Sequence, residues 1–320
     1  MSLDHNGTFE RIGEGGAMVD AQAAFDNAYI STERAFKECG FDQPDDFKPI
    51  TMIAGVRSAY TPDEAKPPGA IPDLSFTSKA YIGRVVYPKL LAAAEDWQPN
   101  ALNLAFAIGR LTAAAYEIGY IHSDLPLKIN PDRNVEVDGT TLQHKLAGGK
   151  VLELGLGVAG LLAHKRNLQA GSYHVTGVNK NRAETEVLKG MRTELGIANR
   201  DLRFSSSGMY ISTYKLSERA KKEGQPPDID LIVASRVATA GHELPPSIQQ
   251  AIPLLEIGGL FIARGPRYVP PRGVSYDTVA DILGRHPHLK LIRNKKVDGP
   301  NKDKKSRDQR LVVAEKIFDD

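Results

Sequence analysis

Cysteine is nearly missing from this chain: Cys39 is the sole thiol in 320 residues. That excludes an internal disulfide and a cysteine-based zinc site, and it fits a reducing compartment. Charge of one sign is missing as well. The net charge is +2, so bulk charge gives no reason to expect a nucleic-acid or membrane partner. No apolar run approaches the ~18 residues of a membrane span. The opening stretch MSLDHNGTFERIGEGG is polar and lacks a signal-peptide core. Residues 1–16 are expected to be flexible and the protein cytoplasmic. What is present is ordinary for a globular chain: 41% hydrophobic and 25% charged residues suffice to bury a full core. The length fits one large domain, or a core domain with a smaller addition.

The texture changes near Gly148. Before it, over residues 17–147, the longer periodic segments are helical. In DAQAAFDNAYISTERAFKECG, residues Ala21, Phe25, Ala28, Tyr29, Thr32 and Phe36 share one face, and Gly40 follows as a stop. SKAYIGRVVYPKLLAAAED reads as a second helix, bent at Pro88. PNALNLAFAIGRLTAAAYEIGYI reads as a third, whose alanines with Leu104, Ile108, Leu111 and Ile118 predict close helix packing. The prolines of YTPDEAKPPGAIPD forbid regular structure there; it is either a lid or a surface loop.

From 148 to 320, apolar strands alternate with helices. The strands are KVLELG, YHVTGVN, DLRFSSS, IDLIVAS and LFIARG. The helices begin near Ala159 and continue as RAETEVLKGMRTELG, TYKLSERAKKEG, PPSIQQAIPLLEIGG and SYDTVADILGRHP. This rhythm predicts a parallel sheet with helices on both faces. LKLIRNKKV and QRLVVAEKI then follow with no helix between them, so they should form an antiparallel hairpin. The lysine-rich connection between them reads as a solvated hairpin tip that could also touch phosphates. HPH at His286–His288 has no partners at metal-ligand spacing, and no metal site is expected.

Gly155, Gly157 and Gly160 make a GxGxxG spacing where the first strand turns into a helix. Such a turn lets a ligand approach the backbone while the helix N-terminus faces it; a tight turn without ligand is the alternative. Dinucleotide and S-adenosylmethionine binders both use this shape. Glu153 separates them, because a carboxylate at the strand end repels a diphosphate and welcomes an ammonium or sulfonium. The terminal hairpin is a second discriminator, since an ordinary dinucleotide domain continues with parallel strands.

With VLELGLGVAG, DIDLIVASRV, AIPLLEIGGLFIARG and the closing hairpin in that order, residues 148–320 resemble a class I S-adenosylmethionine-dependent methyltransferase domain. The resemblance implies an α/β fold, a Rossmann-like seven-stranded, mostly parallel sheet ordered 3-2-1-4-5-7-6. A mainly helical N-terminal domain precedes it. It implies S-adenosylmethionine as cofactor, held by Glu153, Gly155, Gly157 and the backbone of Ala159. An acidic residue usually ends the second strand and holds the ribose; here Asn179 stands there. Asparagine keeps one acceptor oxygen but loses charge assistance, worth on the order of 1 kcal/mol. That weakens binding without abolishing it, and leaves activity as the question; a plain turn residue is the alternative. Ser207, Gly208 and Met209 take the position that touches adenine, with a core role open for Met209. Ser235 and Arg236 fall at the end of the fourth strand beside the methyl donor, where Arg236 would hold an acidic acceptor or a salt bridge. The motif NPPY is absent there, which argues against base methylation.

Methyl transfer needs alignment of donor and acceptor and exclusion of water. A base is needed only if the acceptor must lose a proton, and His242 is the imidazole placed for it by sequence. Tyr81 and Tyr116 are candidate substrate contacts from the N-terminal helices, or core residues. Three readings follow: methyl transfer to a small molecule, the N-terminal helices closing the site or forming a homodimer; aminopropyl transfer with the same cofactor, as in nicotianamine-synthase-like proteins of similar layout; and a non-catalytic relative using the fold for binding.

Overall fold

The computed structural model describes residues 14–38, 99–117, 125, 127–146, 148–155, 165, 167–176, 182–199, 201–204, 208–235, 242–267, 274–298 and 308–318. The segment read as a second helix, the proline-rich stretch and residues 159–164, where a helix is expected to begin, lie outside them.

Helix α1 (Glu14–Glu38) begins six residues before the periodic segment, so residues 14–16 are helical. It buries Phe25, Ala28, Thr32 and Ala35, the spacing of one helical face. The Thr32 hydroxyl lies 2.7 Å from Ala28 O and 3.1 Å from Ala107 O, a shared donor that ties α1 to α2 (Pro99–Glu117). Helix α2 starts on a proline, which needs no N–H there, and buries Leu104, Ala105, Ile108, Leu111 and Ala114. The close packing expected of this alanine-rich segment is made against α3 (Arg182–Glu194). A Cβ on Gly109 would lie 2.0 Å from Val187 O, and one on Gly190 2.2 Å from Phe106 O. Only glycine lets the two backbones touch in this way.

The next three strands were not foreseen. β1 (Leu127–Ile129), β2 (Asn134–Val137) and β3 (Thr140–Lys145) form an antiparallel meander. Asp138 and Gly139 turn β2 into β3 with φ of 50° and 70°, the paired positive values of a tight hairpin turn. Leu127, Val135, Val137 and Leu142 point into the same core as α1, α2 and the main sheet.

That sheet contains β4 (Lys150–Leu154), β5 (Ser172–Thr176), β6 (Leu202–Phe204), β7 (Ile229–Ser235), β8 (Leu255–Pro266), β9 (Leu289–Asp298) and β10 (Asp308–Lys316). Its order is β6-β5-β4-β7-β8-β10-β9. β10 runs antiparallel to both neighbours, while β4, β5, β6, β7 and β8 pair parallel. Counted from β4 this is 3-2-1-4-5-7-6, the order implied by the sequence resemblance. The fold is a Rossmann-like α/β sheet with a C-terminal antiparallel hairpin. One face packs on α1, α2, α3 and the meander. The other packs on α4 (Met209–Lys222), α5 (Leu244–Ala251) and α6 (Tyr276–Arg285).

Two boundaries need correction. Helix α4 starts at Met209, four residues before Thr213. The segment expected to be helical through Gly259 ends as α-helix at Ala251; a 3-10 turn covers Ile252–Leu254 and β8 begins at Leu255. Sheet pairing overrides the helical pattern there. Ile229 pairs with Leu255 and Leu231 with Leu260, so a five-residue step on β8 faces a two-residue step on β7. The extra residues bulge, with Gly258 at φ 83°.

Candidate functional site

In a parallel sheet the ligand end is where the strands finish. On β4, Glu153 is the penultimate residue and its side chain is 1% exposed. Alternation along the strand puts it on the face of Val151, the α2–α3 face. Tyr173 of β5, buried on that face, donates its O–H to Glu153 Oε2 at 2.8 Å. Burial first, and then the Glu153 charge, raise the Tyr173 hydroxyl well above its ordinary pKa, so it stays a donor. The main chain beside this pair is also held by β5. Thr176 Oγ1 donates to Glu153 O at 3.2 Å, and Gly155 N–H donates to Thr176 O at 2.9 Å. Gly155 has φ of 88°, a left-handed conformation that side chains disfavour. Near its end β4 thus carries a buried carboxylate followed by a fixed bend.

Ser235 ends β7, on the same face, 9% exposed. In register with it on β8 is Arg264, 6% exposed, whose Nε donates to Gln309 Oε1 at 3.0 Å. Gln309, 2% exposed, comes from the start of β10, which is antiparallel and so reaches the same end. Glu153, Ser235, Arg264 and Gln309 make a buried polar band across β4, β7, β8 and β10. Arg264, Gln309 and Tyr173 were missed by sequence reasoning. A signal existed for Arg264: it is the one charge in the apolar run LFIARG, at a strand end where a buried cation is costly without a purpose.

The other predicted residues divide. Gly208 precedes α4, and a Cβ there would lie 2.9 Å from Glu243 Oε1. Glu243 Oε2 is 3.4 Å from Tyr210 N, so this carboxylate sits on the N-terminus of α4, where the helix dipole favours it. Met209 is packed in the core with Leu152, Leu154, Leu244 and Ile248. His242 has a side chain 84% exposed, 3.9 Å from Glu243 Oε1. Gly157, Ala159, Asn179, Ser207, Arg236 and Tyr81 lie outside the described residues; Tyr116 is on α2 with its side chain outside them. Among the described residues, no group of three or more His, Cys, Asp or Glu is arranged to hold a metal. None of their helices is long and apolar enough to cross a membrane.

No protein-family model matches the sequence, and no match was found among curated proteins. Among solved structures, the chain is similar to an rRNA methylase from Streptococcus thermophilus at 15% identity and TM-score 0.38, covering 54% of this chain and 90% of that one. It is similar to the N-methyltransferase NodS from Bradyrhizobium japonicum at 15% identity and TM-score 0.38, covering 54% and 88%. It is also similar to the 4+2 cyclase SpnF at 15% identity and TM-score 0.40, covering 54% and 76%. At such scores these likenesses carry no argument about activity; the strand order stands on its own hydrogen bonds.

Proposed function

We propose that this chain binds S-adenosylmethionine and transfers its methyl group to a small-molecule acceptor, in the cytoplasm. One observation carries the reading: a buried carboxylate, Glu153, is penultimate on β4 and is followed two residues later by the left-handed bend at Gly155, in a sheet ordered 3-2-1-4-5-7-6. A carboxylate so placed offsets an ammonium and repels a diphosphate.

When bound, S-adenosylmethionine supplies a methyl carbon already activated by sulfonium. Glu153 accepts hydrogen bonds from the ligand's ammonium. Gly155, with its left-handed bend, would admit close approach together with Gly157 and Ala159, Asn179 would hold the ribose, and Ser207 and Gly208 would border the adenine. Ser235 and Arg236 face the acceptor, with Tyr81 and Tyr116 contributing from the N-terminal segment 17–147, which covers the site or pairs two copies. His242 takes the acceptor's proton where there is one to lose. The protein's main contribution is alignment and exclusion of water.

Titration calorimetry with S-adenosylmethionine, S-adenosylhomocysteine and NAD tests the reading. Binding of the first two and not the third is the expected result. Binding of none, or of NAD alone, would sink it. Product analysis on turnover then divides the chemistry: S-adenosylhomocysteine means methyl transfer, and methylthioadenosine means aminopropyl transfer.

A further inference from the structure

Strand β5 holds the segment 153–155 at three points: Tyr173 O–H to the Glu153 carboxylate, Thr176 Oγ1 to the Glu153 carbonyl, and the Thr176 carbonyl to the Gly155 N–H. Two of these bonds fix the backbone bend. The third fixes nothing in the backbone; it fixes the rotation of a carboxylate. Phenylalanine at 173 would fill the same buried volume without needing a hydrogen-bond partner. The hydroxyl is therefore explained by what it does to Glu153.

The donor's chemistry is the second point. A lysine or arginine in that place would orient the carboxylate and also neutralise it. A phenol orients it without adding a charge of its own, and burial keeps that phenol protonated. A buried carboxylate whose rotation is fixed by a neutral donor is a seat for a cation, set before the ligand arrives.

We propose that Tyr173 is a positioning residue that holds the Glu153 carboxylate toward the ammonium of an amino-acid-bearing nucleoside, and so sets selectivity for ligands that carry that group. This rests on the cofactor reading above. Its test separates the two. S-adenosylhomocysteine and methylthioadenosine share adenine, ribose and sulfur, but only the first carries the ammonium. In Tyr173→Phe, the affinity for S-adenosylhomocysteine should fall about fivefold, the effect of one lost orienting hydrogen bond, while that for methylthioadenosine stays within about twofold. The ratio of the two constants does not depend on the fraction of folded protein, so it remains readable if the variant is less stable. In a Glu153→Gln background, Tyr173→Phe should leave the ratio unchanged, because no carboxylate remains to orient.

Equal weakening of both ligands in Tyr173→Phe would mean a merely structural role and would overturn the proposal. So would an unchanged ratio, or full additivity with Glu153→Gln. Those results leave the cofactor reading intact. Wild-type protein that binds neither ligand overturns both.

Discussion

The two faces of the main sheet are built from alternate residues of the same strands, and they differ in kind. On the α4–α6 face the central strands show Leu152, Leu154, Ile232, Ala234, Phe261 and Ala263, apolar to their ends. On the α2–α3 face they begin apolar with Val151, Leu231, Val233 and Ile262, then turn polar at the ligand end with Glu153, Ser235 and Arg264. Buried polar and charged groups are a burden on stability unless well paired. One face is thus given to holding the sheet and the other shares that task with a site. Stability and ligand binding should separate by face.

The largest effect should come from the apolar face. Phe261→Ala removes a fully buried ring and should cost about 3–5 kcal/mol in denaturant unfolding, with ligand affinity per folded molecule unchanged. A parallel loss of selective affinity would break the comparison.

Acid is next. His174 on β5 has its pKa lowered to about 4 by burial first and the Arg203 charge second; burial lowers His144 too. The unfolded chain therefore takes these protons first. The stability is whole above pH 6.5, where the unfolded imidazole is neutral, and is lost as pH falls toward 4. The His174 share is roughly 3 kcal/mol. His174→Gln should flatten unfolding free energy against pH across that window; an unchanged slope would rule His174 out as its source.

The double variant Glu153→Leu/Tyr173→Phe replaces a buried polar pair by apolar groups of similar size. Its unfolding free energy should stay within about 1 kcal/mol of wild type or rise, while S-adenosylhomocysteine binding drops at least tenfold by calorimetry. Loss of stability with retained binding would invert the assignment of the faces. The smallest effect is a gain: Asn179→Asp should tighten S-adenosylmethionine binding by about 1 kcal/mol, and no gain would show that residue 179 does not reach the ribose.

Much of the fold was legible because parallel strands buried on both faces read as continuous apolar runs, as in IDLIVAS. The Glu153–Gly155 element was legible because its signal is local. What escaped notice was either short or long-range. The β2–β3 turn carried its own sign in Asp138-Gly139 between alternating residues, overlooked inside a stretch dominated by helical periodicity. Residues 255–259 fit a helix on pattern alone, and only the partner strand β7 decides otherwise. Tyr173 meets Glu153 through the register of two strands, and Arg264 meets Gln309 across 45 positions; neither is visible before the strands are paired.

β10 lies between β8 and β9, and this order imposes a sequence of events on folding. β9 is made before β10, yet it has no place on β8 until β10 has slotted in, so the final hairpin must wait or dock as a preformed pair. The parallel strands can assemble in the order of synthesis; the last two strands cannot.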